Sequence, residues 1–131
     1  MAKFIKRLKK SIGTVENALV IGEAFGYLEQ LPDHFNSVFT HNQRTDLKYR
    51  NLIYIKSIED IEISNSIHVV LLDLHYLSYI EKIKSILVRQ KPYIAIEGND
   101  VVERPNVEYL YQIGYRAIER QGMFHLWKKI K

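Results

Sequence analysis

Asn17-Ala18-Leu19-Val20-Ile21-Gly22-Glu23-Ala24-Phe25-Gly26-Tyr27 is the stretch on which the reading of this chain turns. Ala18 to Ile21 is a continuous apolar run, the pattern of a strand covered on both faces rather than wetted on one. Gly22 and Gly26 break the run. Tyr27, Leu28 and Leu31 then follow at near-helical spacing before Pro32, so the strand passes through a glycine-bearing turn into a short helix.

The same alternation repeats outward from that stretch. Ahead of it, Phe4, Ile5, Leu8 and Ile12 share one helical face and Lys and Arg fill the other, which predicts an amphipathic helix over residues 3 to 12, ended by Gly13. After it come apolar runs at Ser37 to Thr40 and Asn51 to Ile55, joined by a polar stretch that is short for a crossover helix. Ile67 to Leu72 is the most hydrophobic run and ends at Asp73. Tyr76, Leu77, Ile80, Ile83, Ile86 and Leu87 predict a long amphipathic helix behind it, stopped by Lys91-Pro92. Tyr93 to Ile96 is a further buried run. Val107 to Ile113 reads as a helix closed by Gly114. Tyr115 to Glu119 and Met123 to Trp127, parted by Arg120-Gln121-Gly122, read as a β-hairpin. The expected fold is α/β: a mostly parallel sheet of about seven strands, helices on both faces, and an antiparallel C-terminal hairpin strand.

A chain of 131 residues supplies one ordinary core, so residues 1–131 are read as a single domain with residues 1–14 as a basic helical segment preceding the first strand. Apolar residues at 47% and charged residues at 26% exclude wholesale disorder and fibrous repeats. Without cysteine, disulfides and thiol catalysis are excluded. The net charge of +4 is local: Lys3, Lys6, Arg7, Lys9 and Lys10 give residues 1 to 10 a charge of +5, and the rest of the chain is −1. That segment lacks the apolar run of a signal peptide, and no window is long enough to span a bilayer, so a cytoplasmic location is expected. Its lysines read first as a solvated helix face covering the sheet edge. Phosphate or nucleic-acid contact is the less favoured alternative.

In parallel sheets ligands bind outside the carboxyl ends of the strands, which directs attention to residues 22–27, 41–42, 73–76 and 97–100. Asp73 and His75 could form a base and its orienting partner, yet an Asp between strand and helix is more often a helix cap. A metal site would need Glu97 or Asp100 as a third ligand, so none is assigned. His34, His68 and His125 are isolated and read as structural. The tyrosines at 76, 79, 109, 111 and 115 read as core or interface, because no basic residues are interleaved with them.

The loop from Ile21 to Tyr27 resembles the glycine loop of class I S-adenosylmethionine-dependent methyltransferases, and residues 115 to 127 resemble the hairpin that closes their sheet. The resemblance implies a Rossmann-like, methyltransferase-type domain that binds S-adenosylmethionine or a related adenosine ligand. The contacts implied are Gly22, Glu23, Ala24, Phe25, Gly26, Tyr27, His41 and Asn42, with Ile55 to Ser57 nearby. Asp73 and His75 would stand nearest the methyl acceptor. The chain departs from the family at Val20, where an acid is usual, at Ala24, where the middle glycine is usual, and at Thr40-His41-Asn42, which carries no carboxylate for the ribose. Those departures favour a second expectation, a non-catalytic binding or assembly module that self-associates as a dimer through surfaces such as Tyr109, Tyr111 and Phe124.

Overall fold

The computed structural model describes residues 2–13, 17–22, 28–41, 49–56, 66–98, 105–122 and 124–130. The side chains of residues 2–4, 28–30, 73–74, 105–106 and 121 lie outside that description. In order the elements are helix α1 (Ala2–Ile12), strand β1 (Asn17–Ile21), a 3₁₀ turn (Leu28–Asp33), strands β2 (Ser37–Thr40), β3 (Leu52–Tyr54) and β4 (Val69–Asp73), a 3₁₀ segment (Leu74–Ile83), helix α2 (Lys84–Gln90), strand β5 (Tyr93–Glu97), helix α3 (Pro105–Gln112), and strands β6 (Tyr115–Gln121) and β7 (Phe124–Lys129). The strands form one seven-stranded sheet in the order β3-β2-β1-β4-β5-β7-β6. β3 to β5 pair in parallel, and β7 runs antiparallel to both β5 and β6. This is the expected α/β architecture.

The two-sided apolar pattern has a direct structural counterpart. Successive side chains of a strand point to opposite faces. Leu19 and Ile21 therefore join Val70, Leu72, Ile94, Ile96 and Trp127 on one face, under Leu77, Ile80, Ile83 and Leu87 and under Val107 and Leu110 of α3. Ala18 and Val20 join Val69, Leu71, Ala95 and Leu126 on the other, under Ile5 and Leu8 of α1 and beside Leu31 and Phe35. Helix α1 thus lies on a face of the sheet rather than over its edge, which corrects the reading of its position. A strand with no polar face leaves an apolar layer wet unless a helix crosses it, and α1 is the element that does so. Gly13 ends α1 at φ +77, its N–H donating to the Lys9 carbonyl at 2.9 Å.

The long helix expected after β4 is different in kind. Leu74–Ile83 is 3₁₀, interrupted at Tyr76 (φ −111°, ψ 18°), and only Lys84–Gln90 is α-helical. The reason lies in the spacing. Leu77, Ile80, Ile83 and Ile86 are all buried and recur every third residue, the period of a 3₁₀ helix. The turn after β1 is also 3₁₀, and it runs through Pro32 instead of stopping before it. Between β2 and β3 the connection is short, yet the strands pair in parallel with Val38 opposite Leu52. Among the described residues no helix is long and apolar enough to cross a membrane.

Candidate functional site

The strand order reverses between β1 and β4, so the crevice beyond their carboxyl ends is where such a sheet accepts a ligand. Gly22 occupies that position. It is buried at φ +92, a conformation an L side chain adopts only with strain, and its N–H donates to Nε2 of His41 at 2.9 Å. His41 follows directly on β2, which lies beside β1 in parallel register, Val20 opposite Thr40. The parallel pairing therefore carries the two residues to the same end of the sheet.

Because Nε2 accepts the hydrogen bond of the Gly22 N–H, the neutral imidazole carries its own proton on Nδ1. Burial holds the His41 pKa below its ordinary value, in agreement with that role. Tyr76 lies against the same glycine: a Cβ on Gly22 would sit 2.5 Å from the Tyr76 Cδ2 atom. Tyr76 and Tyr79 meet edge to face at 5.5 Å, and His41 stands 6.2 Å from Tyr76 and 5.7 Å from Tyr79 between ring centroids. The Lys82 ammonium lies 4.6 Å from the Tyr79 ring centre. The result is a small aromatic group around a glycine backbone, with a neutral histidine at its centre.

The expected site residues divide sharply. Gly22 and His41 come together. Glu23, Ala24, Phe25, Gly26, Tyr27, Asn42, Ser57 and Asp100 lie outside the described residues, as does the side chain of Asp73. The backbone of Asp73 ends β4 opposite Glu97 of β5, and His75 is exposed just beyond it. Ile55 packs against the core and donates its N–H to the Thr40 carbonyl at 2.8 Å.

Tyr76 and Tyr79 pack half-buried against the core, as read from the sequence, and the same two rings also stand beside His41, with Tyr76 against Gly22. Their signal was position: both follow immediately on the strand that ends at the switch point. Tyr115 does belong to the core, its hydroxyl donating to the Pro92 carbonyl at 2.7 Å, and burial pushes its phenol pKa up.

His125 is structural as expected, and it stands at this same end. It is buried beside Ile96, and Nε2 donates to the Gly98 carbonyl at 2.9 Å. Its Nδ1 has no hydrogen-bond partner among the described residues. Burial lowers its pKa, the bond to Gly98 opposes that, and the charge of Arg120 adds to it. His68 likewise accepts the Asn17 N–H at 3.3 Å. Phe124 is buried beneath the Arg7 guanidinium, 5.7 Å from its ring centre, which removes it from any subunit surface.

No protein-family model matches the sequence, and no curated protein matches it. Solved structures do. The N-methyltransferase NodS from Bradyrhizobium japonicum WM9, crystallised with S-adenosylhomocysteine, superposes with a TM-score of 0.62 at 14% identity, over 97% of this chain and 84% of that one. An rRNA methylase from Streptococcus thermophilus gives 0.64 at 15% identity, over 99% and 96%. A ribosomal protein L11 methylase from Lactobacillus delbrueckii subsp. bulgaricus gives 0.67 at 10% identity, over 99% and 78%. At such identities the likeness is one of architecture, and it extends over nearly the whole chain: this protein has the Rossmann-like fold of class I S-adenosylmethionine-dependent methyltransferases.

Proposed function

We propose that the chain binds S-adenosylmethionine or a related adenosine ligand at the carboxyl ends of β1, β2 and β4. The observation that carries this reading is Gly22, a buried, positive-φ residue at the switch point of a fold whose relatives include one crystallised with S-adenosylhomocysteine. The residues around it suit such a ligand. A backbone without Cβ permits close approach, aromatic rings offer stacking faces, and the neutral His41 presents an Nδ1–H donor. Glu23, Ala24, Phe25, Gly26, Tyr27 and Asn42 complete the proposed contacts.

Bound S-adenosylmethionine supplies an electrophilic methyl group. What the chain would contribute is placement: Gly22 and His41 would fix the adenosine side, and Asp73 at the end of β4 with His75 just after it would orient an acceptor or take its proton. Isothermal titration with S-adenosylhomocysteine tests the reading. Binding that weakens at least tenfold in His41→Ala supports it, and absence of binding at about millimolar ligand removes it.

A second reading has its own observation. Val20, where the family usually carries an acid, is fully buried, and the Tyr76 ring lies directly on Gly22. Both features fit a module that keeps the fold and has lost the cofactor. Failure to bind the ligand, together with a dimer in light scattering, favours this alternative. Of the surfaces considered for such a dimer, Tyr111 remains exposed and stacks edge to face on Trp127 at 5.3 Å.

A further inference from the structure

At the opposite end of the sheet, where β4 and β5 begin, the surface has another chemistry. Ile12 in the last turn of α1, Ile67 and His68 ahead of β4, and Lys91 and Tyr93 ahead of and at the start of β5 enclose a surface cavity of about 220 Å³. Small-molecule pockets usually run to roughly 300–1,000 Å³. This one takes a single ring, not a whole cofactor.

Cations surround it. The Lys128 ammonium lies 5.9 Å from the Tyr93 ring centre, and Lys91 is exposed on the cavity wall. Lys9 and Lys10 occupy the same last turn of α1 as Ile12, with Lys6 exposed one turn earlier. Arg7 is already engaged, paired with Glu119 at 2.7 Å, and Ser11 donates to the same carboxylate. Among the described residues Lys9, Lys91 and Lys128 form no ion pair. Lys91 carries one further mark. It ends α2 at φ 54°, ψ 46°, the left-handed conformation that glycine or asparagine adopts more cheaply.

From this grouping we propose that the amino end of the sheet binds single-stranded nucleic acid, one base entering the cavity against Tyr93 while Lys9, Lys91 and Lys128 hold the flanking phosphates. An aromatic ring with cations beside it is the arrangement such strands require, since bases stack without regard to sequence and phosphates respond to charge. An anionic bilayer is the wrong partner. The apolar face of α1, which would have to enter the lipid, is spent against the sheet through Ile5 and Leu8. The pairing of β7 with β5 brings Lys128 beside Tyr93, a juxtaposition of cation and ring that is distant in sequence.

The test is fluorescence anisotropy of a labelled single-stranded RNA of about 12 nucleotides, with DNA of the same sequence and a duplex in parallel, across about 50 to 200 mM salt. The full chain should bind both single strands more tightly than the duplex, with a log-log salt slope near −2, from about 0.7 for each of three phosphates. Lys91→Gln and Lys128→Gln should each lower that slope by about 0.7. Tyr93→Leu, which keeps the apolar packing, should weaken binding about fivefold or more and leave the slope unchanged. Circular dichroism melts of each variant confirm that it remains folded. No binding at about 50 mM salt overturns the proposal. So do equal binding of duplex, polyglutamate or anionic vesicles, or lysine variants that leave the slope intact.

Discussion

The two ends of one sheet present opposite chemistries. At the carboxyl ends of β1, β2 and β4 stand a buried glycine, a histidine kept neutral by burial and two tyrosine rings. At the amino ends of β4 and β5 stands one tyrosine with Lys128 at its ring and Lys91 on the same cavity wall, next to the last turn of the basic helix. The carboxyl end is shaped by backbone and suits a compact ligand approached at close range. The amino end is shaped by charge, acts at longer distance and loses strength in salt. The chain's net basicity is carried by residues 1–10, the helix whose last turn borders the second region, so charge alone is uninformative about the first.

The contrast is broken most forcefully through α1. Leu8 is fully buried, and it fixes the helix that brings Lys9 and Lys10 to the amino end. Leu8→Ala should lower unfolding free energy by about 2–5 kcal/mol, read from urea midpoints, and should weaken polyanion binding more than adenosine-ligand binding.

Gly22→Ala attacks the carboxyl end with a somewhat smaller effect. The added methyl meets the Tyr76 ring at 2.5 Å while the backbone is held at φ +92, a combination expected to cost about 2–4 kcal/mol. Combined with Tyr76→Ala, the loss should be less than the sum of the two single effects, because one of the two penalties is the clash itself. Equal additivity would mean that the contact is not felt.

Acid sharpens the comparison further. His41 and His125 both sit below the ordinary histidine value of 6.5 in the folded protein, mainly through burial, so the unfolded chain takes up protons first as pH falls. Their contribution is complete above pH 6.5 and declines below it. Glu119, held below 4.5 first by the Ser11 hydroxyl and then by Arg7, adds a separate decline under pH 4.5. Denaturant melts between pH 7 and 5 should therefore show a falling stability whose slope is smaller in His41→Gln.

The smallest effect is expected at the Arg7–Glu119 pair. It is partly exposed, and Arg7→Gln should cost about 0.2–1 kcal/mol with partial loss of that difference in high salt.

Much of the architecture was legible because local pattern and burial agree. The apolar runs at Ala18–Ile21, Ile67–Leu72 and Tyr93–Ile96 supply β1, β4 and β5, whereas Arg120 and Gln121, read as part of the hairpin turn, extend β6 and pair with His125 and Phe124. The 3₁₀ segment after β4 was also written in the sequence, as a threefold spacing taken for a helical one. The sites were less legible. Gly22 and His41 are 19 residues apart and meet only because β1 and β2 are in register. Tyr93 and Lys128 meet only because β7 inserts beside β5. Such pairs depend on strand register across the sheet, which no single window of sequence contains.

That insertion has a bearing on how the chain is made. β7 is synthesised after β6, yet it lies between β5 and β6 and is bonded to both. While residues 124–129 are still inside a ribosome, β5 is an open edge carrying Ile94, Ala95 and Ile96, and β6 has no neighbour on which to fold. The nascent chain must carry an unpaired apolar strand until β7 emerges. It is in that interval that edge-to-edge aggregation, or capture by a chaperone that binds extended apolar segments, competes with folding.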